Sequence, residues 1–405
     1  MRSGLLVVCP GEQQLPMPLQ SYFQCFPSSG ALHLYFACIL ILGGISLTNA
    51  QADNPIDDYS EYKRGFQFKA LVVGRYVVSL DDDINTAGMH FSDPEANVVT
   101  NSFEMQYVRM QTNFNINDKI SASILVNLAE FKNDPTSKVL ENAFVKYAHN
   151  PYLNIQLGQF RPYFGIEDLH PFQLNNSYTW SNQYTLFGSN GWQSFQIGAA
   201  VYGSLMEKNI PFYYYLTIYN GNNRNQPWDN DNSKNYTLRL EYNVIPQLSL
   251  GINGGLARLD GQQGNAYGAD ARLRYDLTDA WDFDMNVEYK SGTNFNDYRS
   301  TTLENPALGD FRMHGIYALS RLRYKINKPR IRALEFSFRH EYLDSNTLIM
   351  DNSRYAYIPM ASVIFSGVYA AKFSLVGVIN HFDRNIPDTR TYDNNQIIAQ
   401  FQVAF

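Results

Sequence analysis

The side chains able to do chemistry fall into two groups, a few scattered histidines and regular rows of charge. Of the seven histidines, His33 lies near the N-terminus. His90, His149, His170, His314, His340 and His381 are dispersed, with no His-x-x-x-His spacing to hold a metal. A hydrolase needs a nucleophile set against a base, and no such pairing is legible. No catalytic residue, metal or cofactor is therefore expected. Asp81-Asp82-Asp83 has the oxygen chemistry for Ca²⁺ or for cations that bridge lipopolysaccharide, although such a triplet is more often a solvated loop edge.

The charge rows say more. Over 280–291, Asp282, Asp284, Asn286, Glu288 and Lys290 share one side of an extended chain, and Trp281, Phe283, Met285, Val287 and Tyr289 share the other. Over 265–276, Gly268, Asp270, Arg272, Arg274 and Asp276 oppose Tyr267, Ala269, Ala271, Leu273 and Tyr275. Charges repeated this regularly are too costly for a dry core but suit a water-filled lumen, with lipid on the apolar side. In a bilayer the backbone must be hydrogen-bonded internally, so such a sheet has to close.

The elements that position these rows are short alternating strands. Period-two runs bounded by turn chemistry predict sixteen: 66–80, 102–116, 119–130, 138–148, 152–161, 193–205, 210–221, 234–245, 248–259, 265–276, 280–291, 312–326, 331–344, 354–366, 368–382 and 394–405. In the first, Phe66, Phe68, Ala70 and Val72 face away from Gln67 and Lys69. Helical patterns are essentially absent. Long gaps (81–101, 131–137, 162–192, 222–233, 260–264, 292–311, 345–353, 383–393) alternate with tight ones such as Asn117-Asp118 and Pro246-Gln247. Short periplasmic turns and longer extracellular loops sort this way in an outer-membrane barrel. The predicted fold is an all-β, 16-stranded antiparallel transmembrane barrel over 53–405. Tyr147, Tyr242, Tyr275, Trp281 and Tyr324 flank short turns and would form a periplasmic girdle; Tyr289, Tyr342 and Tyr357 would form the outer one.

Bulk properties agree. Of 405 residues, 45% are apolar and 15% aromatic, with Tyr 29, Phe 26 and only 17% charged. The net charge of −6 gives no reason to expect nucleic-acid binding. Mean hydropathy of −0.32 excludes a helical membrane protein but not a barrel, whose two faces average out. Cys9, Cys25 and Cys38 all precede residue 40, which excludes a disulfide scaffold and a Cys-based zinc site in the barrel. The apolar stretch Ala31 to Leu47, followed by Thr48-Asn49-Ala50-Gln51-Ala52, reads as a secretory signal within 1–52. Residues 1–30 carry a single basic residue, Arg2, and read as an upstream extension from a misplaced start.

Leu157-Gly158-Gln159-Phe160-Arg161-Pro162-Tyr163-Phe164-Gly165-Ile166-Glu167 resembles a strand-end motif of the phosphate-selective porin O and P family. Gly198 to Leu205, Tyr215 to Gly221 and Leu238 to Tyr242 resemble the strands that follow it, and the C-terminal strand ending on Phe405 resembles the terminal signature of outer-membrane barrels. The resemblance implies a trimeric outer-membrane porin whose third long loop folds inward. That loop is 162–192, the longest. The chain departs from the phosphate-selective pattern here, because no Lys or Arg lies between Pro162 and Trp192.

The expected constriction residues are Glu167, Asp168, His170, Asn175, Asn176, Tyr178 and Trp180. The expected wall charges are Arg109, Arg161, Arg239, Arg272, Arg274, Arg321 and Arg323 with Asp282, Asp284 and Glu288. Opposite charges on neighbouring strands pair, so a salt ladder that stiffens the wall and an anion track both remain open. The function expected is passive diffusion of small polar solutes or inorganic anions, with pore width and constriction charge setting selectivity. Outer-membrane lipid, lipopolysaccharide and further copies in a homotrimer are the expected partners. The competing reading is a non-conducting surface barrel, an adhesin or structural protein displaying 81–101 and 292–311; a barrel enzyme ranks third.

Overall fold

A computed structural model describes residues 65–405, apart from 135, 137, 175, 227, 230, 327, 368 and 369. The predicted signal, 1–52, lies outside the described residues, as does Asn175 of the expected constriction.

The strands are β1 (Gly65–Ser79), β2 (Asn101–Asn115), β3 (Ile120–Asn127), β4 (Leu140–Asn150), β5 (Leu153–Phe160), β6 (Gln196–Ser204), β7 (Phe212–Tyr219) and β8 (Asn235–Ile245). They continue as β9 (Leu248–Leu259), β10 (Gln262–Asp276), β11 (Trp281–Thr293), β12 (Arg312–Lys325), β13 (Ala333–Asp344), β14 (Ser353–Ser366), β15 (Ala371–Phe382) and β16 (Asn394–Ala404). Each pairs antiparallel with its sequence neighbours, and β1 pairs with β16 from Leu71↔Ala404 to Ser79↔Gln396. No edge strand is left open, which removes the unpaired backbone that a bilayer would penalise. Phe405 extends the seam by exchanging two backbone hydrogen bonds with Ala70, at 2.6 and 3.0 Å.

Alternation sets the two faces. Phe66, Phe103, Leu157, Ile252, Phe336, Leu375 and Phe401 are exposed on the outer surface, as a lipid-facing band requires. Asp270, Asp282, Glu288, Lys290, Arg321, Glu335 and Arg339 are buried inside. Rings run from strand to strand along the extracellular side of the outer face. Tyr289–His314, His314–Tyr342, Tyr342–Tyr355 and Tyr355–His381 have centroids 6.5, 5.6, 5.2 and 6.4 Å apart. At the other end Trp281 and Tyr324 are a register pair with centroids at 4.8 Å.

Three features differ from the sequence expectation. The gap expected at 260–264 is a two-residue hairpin, because Asp260 and Gly261 both take positive φ (50° and 76°) and β10 starts at Gln262. Asp-Gly favours this turn because its twist matches that of the strands, so the alternation of long and short gaps fails here. The loop over 162–192 contains helices, α1 (Ile166–Leu169) and α2 (Asn182–Ser189), and the 292–311 loop carries α3 (Phe295–Ser300). The inner wall is also not polar throughout. Val77, Leu319, Ala356, Ile358, Met360, Val376, Val378 and Ile398 form a buried apolar patch on the inner faces of β12, β14–β16 and β1. Above it the first and last extracellular loops are tied together: His90 stacks on Tyr392 at 3.8 Å, and Asp388 accepts from Ser92 N and Oγ.

Candidate pore constriction

The third extracellular loop, L3 (161–195), leaves β5 at Phe160 and crosses the lumen. Its turn inward depends on Gly165, which has φ 134° and sits against β11; a Cβ there would lie 2.2 Å from Glu288 Oε1 and 2.6 Å from Lys290 Nζ. Arg161 fixes the turn from inside, donating to Glu167 O (2.8 Å) and His170 O (2.7 Å). The chain then reaches the opposite wall, where Phe172 packs on Leu71 and Val73 of β1. Tyr178 lies against the apolar patch. Ser181 caps α2 by accepting from Tyr184 N at 3.1 Å. Trp192, fully buried among Phe164, Phe187 and Phe295, closes the return and donates Nε1 to Thr293 O at 2.9 Å.

Most of the loop's polar groups are spent on docking. Glu288 of β11 accepts from Ile166 N (2.8 Å) and Gln183 Nε2 (3.2 Å) and pairs with Lys290 (2.9 Å). Lys290 donates to Gln193 (3.0 Å), and Gln193 donates to Asp168 (2.7 Å). Glu167 accepts from both N and Oγ of Ser181, at 2.9 and 2.5 Å. From β13, Arg339 donates to Ser177 Oγ, Thr179 O and Trp180 O at 2.6, 2.7 and 3.3 Å and pairs with Glu341, which accepts from Asn182 N. A buried charge is tolerated only when paired and hydrogen-bonded in this way.

The titratable groups of L3 reflect this burial. Desolvation pushes Glu167 up to about 7; the Glu288 charge adds to it, while Lys290, Ser181 and Arg339 oppose it. Burial likewise raises Asp168 to about 6. His170 is pushed down to about 4 by burial and then by Arg272, Arg274 and Arg161. Its Nε2 lies 3.1 Å from Arg272 Nη1. A guanidinium can only donate, so His170 is the neutral acceptor.

L3 leaves the β1–β5 side of the lumen open. A cavity of about 920 Å³ runs there from Glu130, Lys138 and Arg224 in the extracellular loops to Lys69 and Gln111, a register pair near the periplasmic ends of β1 and β2. Its middle is lined by Tyr107, Arg109, Glu141, Arg161, Trp180 and Phe195. Its cations are Lys69, Arg109, Lys138, Arg161 and Arg224, and its carboxylates are Glu130 and Glu141. Glu141 pairs with Arg109 at 2.8 Å and, more loosely, with Arg224 at 3.8 Å. Lys69, Lys138 and Arg161 have no carboxylate within 4.0 Å among the described residues. A second cavity, about 500 Å³, lies against the periplasmic ends of β10–β12 and is lined by His170, Asn176, Trp180, Arg272, Arg274, Asp282, Asp284, Arg321 and Arg323. Trp180 borders both cavities.

The expected site residues thus separate into three sets. Arg109, Arg161 and Trp180 line the large cavity, and His170, Asn176, Arg272, Arg274, Arg321, Arg323, Asp282 and Asp284 line the small one together with part of Glu167. Within the small cavity Arg321 pairs with Asp282 and Asp284, Arg323 pairs with Glu335, and Arg272 pairs with Glu241, so most of its charge is answered locally. Glu288 and Arg239 have no exposed surface. Glu288 holds L3, and Arg239 is enclosed by Asp270, Glu241 and Asn253. Asp168 and Tyr178 are turned into the packing of the loop rather than toward either cavity. Sequence reasoning missed Lys69, Tyr107, Lys138, Glu141, Phe195 and Arg224 at the large cavity, and Lys290, Arg339 and Glu341 at the dock. The i, i+2 pairs Glu288/Lys290 and Arg339/Glu341 on inward positions were the available signal.

A closed 16-stranded barrel with an apolar exterior and a loop folded into its lumen has the architecture of outer-membrane porins, and its exterior suits a bilayer. Solved structures share it. The outer-membrane channel DcaP of Acinetobacter baumannii is 13% identical with a TM-score of 0.54, covering 84% of this chain and 97% of that one. OmpF of Salmonella typhi, in a complex with daunomycin, is 12% identical with a TM-score of 0.55 over 84% and 97%. An anion-selective porin from Comamonas acidovorans is 7% identical with a TM-score of 0.54 over 85% and 100%. At these identities the likeness is one of fold. A family model described as a putative MetA-pathway of phenol degradation matches residues 215–302, from β7 to α3. No curated protein sequence matches the chain.

Proposed function

We propose that the protein is a porin for passive diffusion of small hydrophilic solutes, with a preference for anions, and that its route is the cavity along β1–β5. The observation carrying this reading is the charge of that cavity, where Lys69, Arg109, Lys138, Arg161 and Arg224 meet only Glu130 and Glu141. Cations at a constriction raise the local concentration of anions and exclude cations. The periplasmic cavity adds less, because its arginines lie among Asp276, Asp282 and Asp284. L3 narrows the lumen, with Arg161 and Trp180 at the route and Glu167, Asp168 and Tyr178 holding the loop in place. Phosphate remains one candidate among small anions, and the family resemblance supports a homotrimer embedded in lipid and lipopolysaccharide.

The test is the reversal potential of the refolded mature chain in a planar bilayer across a KCl gradient. An anion-selective potential is expected, with openings in threes for a trimer. A cation-selective or zero potential overturns the anion preference, and absence of conductance overturns the porin reading in favour of a surface barrel.

A further inference from the structure

Three cations of the large cavity, Arg109 and Arg161 at its middle and Arg224 from the extracellular loops, each lie against an aromatic ring. The Arg109 guanidinium is 4.0 Å from the centroid of Tyr107. Arg161 is 5.2 Å from Trp180 and 6.0 Å from Phe195, and Arg224 is 5.4 Å from the same Phe195 ring. A route built for a small hydrated anion gains nothing from apolar surface, because such an ion needs donors on all sides to replace its water. Here the donors are separated by ring faces, and Trp180 forms the partition between the two cavities.

This pairing matches a solute with a flat apolar body and one negative end. Arginine stacks on aromatic planes and also binds carboxylates, and a ring beside a guanidinium offers both interactions within one contact. Glu141 answers Arg109 and Arg224 together, so two guanidiniums share one carboxylate. Arg161 donates to backbone oxygens of L3, at Glu167 and His170, and has no carboxylate within 4.0 Å among the described residues. A positive field therefore remains for a ligand carboxylate, next to Trp180 and Phe195.

We infer that the passage along β1–β5 contains a binding subsite for aromatic carboxylates, formed by Arg161, Arg224, Trp180, Phe195 and Tyr107. The inference rests on the cavity being the conducting route. A solute bound there would occupy the path of chloride and reduce its current.

Single-channel chloride currents of the refolded mature chain test this, with benzoate, cyclohexanecarboxylate, acetate or inorganic phosphate added on one side. Benzoate should halve the current at a concentration about tenfold below acetate and phosphate, the equivalent of about 1.4 kcal/mol. In Tyr107→Leu and Trp180→Leu that ratio should fall below about threefold, measured within each variant so that any change in open current cancels. Tyr107 lies on a strand and Trp180 on the loop, so misfolding of one leaves the other informative. The lipid-facing control Phe336→Leu should keep the full ratio. Equal potency of benzoate, acetate and phosphate in a conducting channel overturns the subsite and leaves the porin reading intact. Equal potency of benzoate and cyclohexanecarboxylate overturns the aromatic requirement. A chain that never conducts overturns both readings.

Discussion

The two sides of the lumen are built from the same kind of sequence and do opposite things. On β11 and β13, Glu288, Lys290, Arg339 and Glu341 alternate inward and are at most 2% exposed, because L3 lies on them and uses their hydrogen bonds. On β2 and β4, Arg109 and Glu141 also face inward and pair with each other, and Glu141 is as buried as the dock residues, but both border the large cavity and no hydrogen bond from L3 is made to their charged groups among the described residues. An inward row of charge therefore marks a lumen face without saying whether it is a pore wall or a foundation. What packs against it decides, and here one loop covers one half and so shapes the other.

Removing the foundation should have the largest effect. Arg339→Ala strands Glu341 and frees three loop acceptors at once, and breaking a buried pair from one side costs about 3–5 kcal/mol. The barrel, closed by strand pairing alone, should survive while L3 undocks. Limited proteolysis should then cut within 162–192, and single-channel noise should rise. If the loop stays protected, the proposed division between foundation and pore wall is wrong. Gly165→Ala acts on the same dock through the backbone. Forcing a side chain into φ 134° against Glu288 should weaken it by about 1–3 kcal/mol, read in the same assay.

A third effect depends on pH. Glu167 and Asp168 have pKa values of about 7 and about 6, raised by burial above ordinary carboxyl values. The docked loop thus holds protons that a released loop gives up, so their contribution is complete below the ordinary carboxyl pKa values and is lost as pH rises to about 7 and about 6. His170, lowered to about 4, works the other way, since release lets it take up a proton at pH values below its ordinary pKa. Two acids outweigh one histidine, so amide protection factors in 166–184, which correct for the base catalysis of exchange itself, should be higher at pH 5 than at pH 8. Glu167→Gln should flatten that difference, and no change with pH in the parent chain would show that the acids do not titrate with docking.

The smallest structural effect belongs to the open side. Arg224→Gln removes a partly exposed cation whose nearest carboxylate is 3.8 Å away, and such changes alter stability by less than about 0.5 kcal/mol. The reversal potential should nevertheless move toward zero. A variant that destabilises the barrel without altering selectivity would assign Arg224 to the foundation instead.

Sequence alone determined the barrel. Sixteen period-two runs and unequal gaps are local features, and a strand's two faces follow from its pleat. The one misjudged gap, Asp260-Gly261, was legible as a hairpin dipeptide and shows that turn chemistry outranks gap counting. The helices of L3 were not legible, because α1 has four residues and α2 eight, too short for a periodic pattern to stand out and held mainly by tertiary contacts. Only the tertiary structure decided where the Leu153–Trp192 stretch goes after Gly165. Its dock depends on Glu288, Lys290, Arg339 and Glu341, more than 90 residues away in the chain, and on which inward faces come to lie opposite one another when the sheet closes. The absence of Lys and Arg from 162–192 then takes on a physical meaning. That loop meets buried cations supplied by the wall, and the cations left to the solute stand on the far side of the lumen.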